Sequence, residues 1–268
     1  MEAQLRWAIA LVAMVMLAPC LQAHDYWLEA DRTRLANQEM AVVRLMFGKN
    51  FAEGQEKPLQ VGRTADFRDY GQSRQFGNLL LHRANNSVPA CMFKLRQEGT
   101  VLVTMERTAS EIRFGRAKYL EYAAREGAVI DEKELSASKK TVCETYTRYL
   151  KTLLQVGGDV NQTASKLVGQ NYEIVPKENP YLGGLISLKF KVLFEGHPVS
   201  AVKVTAIHKL DGKLTSSTAI TDDKGCCEFP IEQTGSWLIR SVKIVPDAPA
   251  EGMQANYHSY WASLTFAY

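Results

Sequence analysis

Histidine is scarce in this chain, five in 268 residues, and no two histidines are four apart. The paired helical ligands of an HExxH hydrolase are therefore absent. Cysteine is as scarce, at five, and no two cysteines have C-x-x-C spacing, so a thiolate zinc site is not indicated. There is no G-x-S-x-G, no glycine-rich phosphate loop and no convincing cysteine–histidine nucleophile pattern. On motifs alone the chain is expected not to be an enzyme. The formal net charge is only +3, which argues against a nucleic-acid partner. There is no internal repeat and no low-complexity segment. Past the amino terminus there is also no long apolar run, so the remainder is expected to be soluble.

The first 23 residues differ from the rest. Arg6 precedes "WAIALVAMVMLAP", which has the length of a signal-peptide core and is short for a membrane span. Leu21-Gln22-Ala23 is an acceptable cut site, so residues 1–23 are expected to be removed and the mature chain to begin at His24. Cys20 raises a lipoprotein alternative, although Pro19 fits a lipid-attachment box poorly, and an uncleaved anchor is the other alternative. The mature chain would keep 245 residues (268 minus 23), enough for two domains. Cys91, Cys143, Cys226 and Cys227 would meet an oxidising compartment, where three pairings are conceivable. They are read as packing residues with at most one disulfide. Cys226 and Cys227 on a strand would face opposite ways.

Period-two alternation dominates the C-terminal third. In "LISLKFKVLFEG", Ile186, Leu188, Phe190, Val192 and Phe194 share a face. "VSAVKVTAIHK" repeats the pattern, and "LDGK" carries an Asp-Gly turn. "LTSSTAIT", "CCEFPI", "SWLIRSVKIV" and "WASLTFAY" read as further strands. "TDDKG" lacks the remaining ligands of a calcium loop and reads as a capped turn. Upstream, "QEMAVVRLMFG", "NLLLHRA" and "TVLVTMERT" are strand-like. "RAKYLEYAARE", ending at Gly127, predicts a helix with a glycine stop. Val142, Tyr146, Tyr149 and Leu153 have the spacing of a second helix, while "KTLLQV" reads equally well as a strand. The expected fold is mainly β. An N-terminal β-domain with helical insertions (24–178) precedes an immunoglobulin-like or transthyretin-like β-sandwich (179–268), with a seam at "PKENPY", 176–181.

Several blocks carry a family resemblance: "AHDYWLEA", "YTRYLKTLLQVG", "GQNYEIVPKENPY", "TDDKGCCEFPIEQTGSWLIRS" and "SYWASLTFAY". In this order they resemble a bacterial periplasmic family whose shared domain is of unknown function, often described as a periplasmic component of cobalt or nickel uptake. The resemblance implies a β-domain followed by a β-sandwich. It also implies a periplasmic location, a nickel or cobalt ion as ligand and a membrane metal transporter as partner. The matching positions are His24, Asp25, Trp27, Leu28, Glu29, Tyr146, Arg148, Glu173, Trp237, Trp261 and Phe266. The chain departs from the family pattern at His258, where relatives tend to carry an acid.

A first-residue His24 would chelate an ion through its α-amine, whose ordinary pKa is about 8, and its ring Nδ1. Such nitrogen ligands favour copper, nickel, cobalt or zinc over magnesium or calcium. Asp25, Glu173 and His258 are the other candidate ligands. Glu173 reads equally as a buried carboxylate hydrogen-bonded to backbone, and His258 as a surface loop residue. His208 is expected to be a packing residue, His197 a turn residue and His82 the end of a strand. The expected function is a periplasmic nickel- or cobalt-binding accessory protein of metal uptake. One alternative is a metal-independent β-sandwich module that binds protein or carbohydrate. The other is a copper enzyme with a histidine brace, in which a further imidazole completes the site. Edman sequencing of the exported protein is expected to begin His-Asp-Tyr-Trp, and any other first residue removes the terminal chelate.

Overall fold

The structure, a computed structural model, describes residues 25–49, 51–52, 54–72, 76–81, 83–131, 135, 140–247 and 256–268. Among them, seventeen strands and one α-helix follow one another. The first half holds β1 (Asp25–Ala30), β2 (Arg34–Leu35), β3 (Met40–Gly48), β4 (Gln55–Lys57), β5 (Thr64–Tyr70), β6 (Phe76–Asn78), β7 (Cys91–Lys94) and β8 (Gly99–Gly115). The helix α1 (Arg116–Arg125) and the long β9 (Thr141–Val156) come next. The second half holds β10 (Tyr172–Pro176), β11 (Ser187–Phe194), β12 (His197–Pro198), β13 (Lys203–Leu210), β14 (Lys213–Ile220), β15 (Cys226–Pro230), β16 (Ser236–Pro246) and β17 (Tyr257–Ala267). The protein is mostly β, a β-sandwich with minor helical content. No helix among the described residues is long and apolar enough to cross a membrane.

The central sheet runs β14-β13-β16-β17-β9-β8-β5-β6, with β2 added against β9. All its neighbours along that path are antiparallel except β17 and β9, which pair in parallel from Tyr257↔Glu144 to Thr265↔Thr152. That pairing carries one sheet through strands from both sides of the 176–181 segment. Two four-stranded sheets flank it, β1-β3-β4 with β7, and β10-β11-β12 with β15.

Three sequence expectations change here. Val142, Tyr146, Tyr149 and Leu153 do not form a helical stripe; they lie on β9, sixteen residues long. Threonine, valine and aromatic residues crowd this run, and it is covered on both faces, so neither face shows alternation. "NLLLHRA" is mainly turn: β6 ends at Asn78 and Leu79–Leu81 turn away, while His82 lies outside the described residues. Ile186 precedes β11 and is 85% exposed, so it does not share the buried face of Leu188 and Phe190. The helix at 116–125 forms as the sequence predicts, with Gly127 at φ +83° beyond its end. A Cβ there would sit 2.9 Å from the Lys203 Cβ, so space as well as backbone demands glycine. Asp211 and Gly212, at φ +49° and +75°, make the tight turn between β13 and β14. Cys226 is part-exposed and Cys227 buried on β15, facing opposite ways, and the four cysteines after residue 90 are free. Burial pushes the Cys91 and Cys227 thiols up to about 12, so neither is a reactive thiolate at neutral pH.

Alternation on β9 separates two environments. Tyr149, Lys151 and Leu153 face the sheet of β10, β11 and β15, where Tyr172, Phe190, Val192, Phe229 and Trp237 build the main core. Leu150 and Leu154 face the opposite way, into a core with Leu28, Val43, Leu45 and Phe67 beneath the sheet of β1 and β3. Further along that second face, Val142 joins Phe114, Tyr119, Tyr122, Tyr257 and Trp261 around α1.

On the first face Lys151 and Glu173 form an ion pair at 2.6 Å, each side chain 2% exposed. Glu173 also accepts backbone N–H groups of Val168 and Gly169 at 2.9 and 3.2 Å, and Lys151 donates to the Ile174 carbonyl at 3.2 Å. Burial lowers the Lys151 pKa, which the Glu173 charge opposes. Glu173→Ala leaves a buried cation alone and is expected to cost about 3–5 kcal/mol in urea unfolding. Lys151→Met combined with Glu173→Leu should recover part of that loss, the two loop N–H groups remaining unpaired. A single variant as stable as the parent refutes this.

Candidate functional site

The first described residue, Asp25, opens β1 opposite Gly48 and is 5% exposed. β1 lies over the second face of the central sheet, where Thr265 donates to the Leu28 carbonyl at 2.6 Å and Thr33 to that of Ala267 at 2.9 Å. This brings Asp25 to Arg240 on β16, Oδ1 to Nε at 3.1 Å. The same guanidinium grips Glu126, the residue capping α1, through two bonds of 2.8 and 3.1 Å. Arg125, 3.4 Å from Glu126 through Nε, is a second cation at the cluster, so the two buried carboxylates are matched by two guanidiniums. The planar fork of arginine suits this role, since it donates in two directions at once.

Next to this cluster the Arg148 guanidinium is stacked among rings. Its centre is 4.4 Å from the Tyr26 ring, 4.3 Å from Tyr146 and 5.8 Å from Trp261. Trp261 stacks on Tyr122 at 6.0 Å, and Tyr122 on Phe114 at 5.3 Å, so a line of rings joins Arg148 to α1. Arg148 stands opposite Arg107 in the β8–β9 ladder. Arg107 is buried, bonds the neutral Thr64 and Gln60, and burial lowers its pKa. One row further, Glu144 is 1% exposed. Ser259 donates to it at 2.6 Å and Tyr122 at 3.3 Å, while Trp261 donates to Ser259 at 2.9 Å. Burial pushes the Glu144 carboxyl up to about 7, and these hydroxyls hold it from rising further.

The three sequence-predicted ligands that are described, Asp25, Glu173 and His258, do not assemble. His24 lies outside the described residues. Asp25 is on the second face of the sheet, whereas Glu173 and His258 are on the first. Glu173 is committed to Lys151 and to loop N–H groups. His258 bonds the Thr147 hydroxyl at 2.9 Å, stacks on Tyr260 at 4.2 Å and stands 4.0 Å from Asp247. Burial lowers its pKa, against the pull of Asp247. Thr147 and Lys151 are four residues apart on β9, so the anchors of His258 and Glu173 are separated by roughly 13 Å. His208 stacks on Trp237 at 4.3 Å, a packing residue as its sequence position suggests. Among the described residues no group of three or more His, Cys, Asp and Glu is placed to hold a metal ion. Arg240, Glu126, Glu144 and Lys151 are absent from the sequence reading. Their signal was available: Arg240, Glu144 and Lys151 are single charges inside apolar or aromatic runs, "WLIRSV", "VCETY" and "YLKTLL".

Residues 21–243 match the model of a family described as Domain of unknown function, DUF4198. The chain belongs to that family. The matched stretch of the DUF4198 domain runs from the expected cut site through β1 to the middle of β16, and takes in Asp25, Glu126, Arg148 and Arg240. Comparison with curated proteins finds no match. Among solved structures, the D0-D1 domain of intimin is 16% identical, over 90% of this chain and 97% of that one, at a TM-score of 0.20. A Salmonella alpha-2-macroglobulin reacted with methylamine is 11% identical over 89% of this chain, at 0.20, and dimeric latent PorU from Porphyromonas gingivalis 11% over 96%, at 0.19. The chain spans only 16% and 21% of those last two. Similarity at this level fixes neither fold nor function.

The raised carboxyl in this DUF4198 chain has a measurable consequence. The unfolded chain loses the Glu144 proton near the ordinary value of 4.5, and the folded chain keeps it to about 7. Between those values the folded state binds more protons, so this group lowers stability as pH rises, by up to about 1.4 kcal/mol per unit. Glu144→Gln is therefore expected to gain stability relative to the parent between pH 4.5 and pH 7, followed by melting temperature. A constant difference across that range contradicts the assignment.

Proposed function

We propose that this chain is an exported, periplasmic accessory protein of transition-metal uptake. It binds nickel or cobalt through its mature amino terminus and works beside a membrane transporter. The observation that carries the reading is the anchoring of Asp25. Strand β1 begins one residue after the expected cut, and its first carboxylate is buried and held by Arg240. A ligand joined directly to such an anchor loses little freedom on binding. His24 supplies the α-amine and imidazole, and Glu173 and His258 have other partners and are not ligands in this reading. The resemblance of "HDYWLE" to metal-uptake proteins selects nickel or cobalt.

A copper histidine brace needs another imidazole beside the first residue. His208 and His258 face the opposite side of the central sheet, so no described residue favours that alternative. The metal-independent module is favoured by one feature, the edge strand β14, exposed along almost its whole length and open to a partner strand.

Mature protein and a variant with one alanine inserted before His24 are compared by calorimetric titration with nickel(II) and cobalt(II). The insertion separates amine from imidazole and is expected to weaken binding by about a hundredfold or more, beyond the usual effect of an outer-shell change. Equal affinities sink the terminal site.

A further inference from the structure

A cleft of about 360 Å³ opens beside the first strand, between the end of β3, the end of α1 and the strands β13 and β14. Arg240 lines it, so it adjoins the Asp25–Arg240–Glu126 cluster. Lys49, Arg125 and Lys203 also line it, and no acidic side chain among the described residues does. Lys49 is exposed, and its ammonium has no hydrogen bond or ion pair with a described residue. Lys203 gives one bond, 2.8 Å, to the Arg125 carbonyl, leaving two of its three donors. Arg125 approaches Glu126 at 3.4 Å through Nε alone, and Glu126 is already gripped by Arg240. The remaining walls are hydroxyls of Thr205, Ser216 and their neighbours, with Ile207 and Leu214 as apolar floor.

We infer that this cleft binds a small polycarboxylate anion; resting on the reading above, that anion is the chelator that accompanies the metal. Three cations spread around the cleft suit carboxylates distributed over a carbon frame better than one compact phosphate, which would draw them to a point. Ile207 and Leu214 offer contact for that frame, and the hydroxyls take up its remaining oxygens. A bare divalent ion would meet repulsion from Lys49, Arg125 and Lys203. An anionic chelate would be attracted to them.

The mature full chain is titrated with citrate, nickel(II) citrate and inorganic phosphate. Citrate alone is expected to bind, nickel citrate to bind more tightly, and phosphate to bind much less. Lys49→Glu should weaken citrate binding about tenfold or more, with the far-ultraviolet circular dichroism unchanged. Arg125→Gln provides the same measurement if Lys49→Glu fails to fold. The alanine insertion before His24 should leave binding of metal-free citrate intact. Citrate that binds while nickel ignores the insertion supports the cleft and sinks only the metal reading. The inference is overturned by absence of citrate binding, by phosphate binding as tightly as citrate, or by folded charge variants with parental citrate affinity.

Discussion

Lys151 and Glu173 meet where two sheets press together, and their pairing expresses the constraint on which the rest of the molecule depends. β9 is covered along most of both sides, so its buried charges are met inside the protein, Lys151 by Glu173 and Glu144 by Ser259 and Tyr122. On the first face the partner for Lys151 comes from β10, which fixes how the sheet of β10, β11 and β15 lies on the central one. On the second face the run Leu154, Thr152, Leu150, Arg148, Tyr146, Glu144 must be covered by different pieces: β1 and β3 at one end, α1 at the other. Neither cover reaches the middle completely. Polar and aromatic side chains fill that middle, and the candidate site lies there as a consequence of how the strand is covered.

The middle is held by arginine for a physical reason. Arg240 must satisfy Asp25 from β1 and Glu126 from α1, two elements that approach from opposite ends. A lysine has a single ammonium and cannot present a flat, two-sided fork to both. Arg148 solves a different problem. It faces Arg107 across the ladder, where like charges oppose each other. Stacking on Tyr26 and Tyr146 disperses its charge onto ring faces and holds the guanidinium in place. The cluster at the start of β1 thus joins β1, the end of α1 and β16.

Strands β11 and β15 were legible in the sequence because buried and exposed positions alternate along them, as in Leu188, Phe190 and Val192. The helix at 116–125 was legible from its glycine stop. β9 was not legible as a strand throughout, because a strand covered on both sides loses its period-two signal and chance spacing of Tyr146, Tyr149 and Leu153 imitates a helix. The ligand set was read from residue types alone, and types do not say which face a strand presents. Glu173 and His258 looked available because their partners, Lys151 and Thr147, are distant in sequence. The lone charges in apolar runs were the better guide: Arg240, Glu144 and Lys151 each stand where only a buried partner makes the position tolerable.

The residues that carry the family resemblance divide in space by what they do. Glu173, Trp237 and Phe266 are buried, and their contacts are explained by packing and by the Lys151 pair. Asp25, Tyr146, Arg148 and Trp261 come from three distant strands, yet they converge within one neighbourhood beside the start of β1. Packing accounts for Trp261, which lies in the core around α1, but less for Arg148 and Tyr146, which remain part-exposed. A side chain held in place by rings at the surface of a boundary is suited to contact something outside the fold. The motif in β1 and the motif in β17 therefore belong to one feature, which meets the cationic cleft at Arg240.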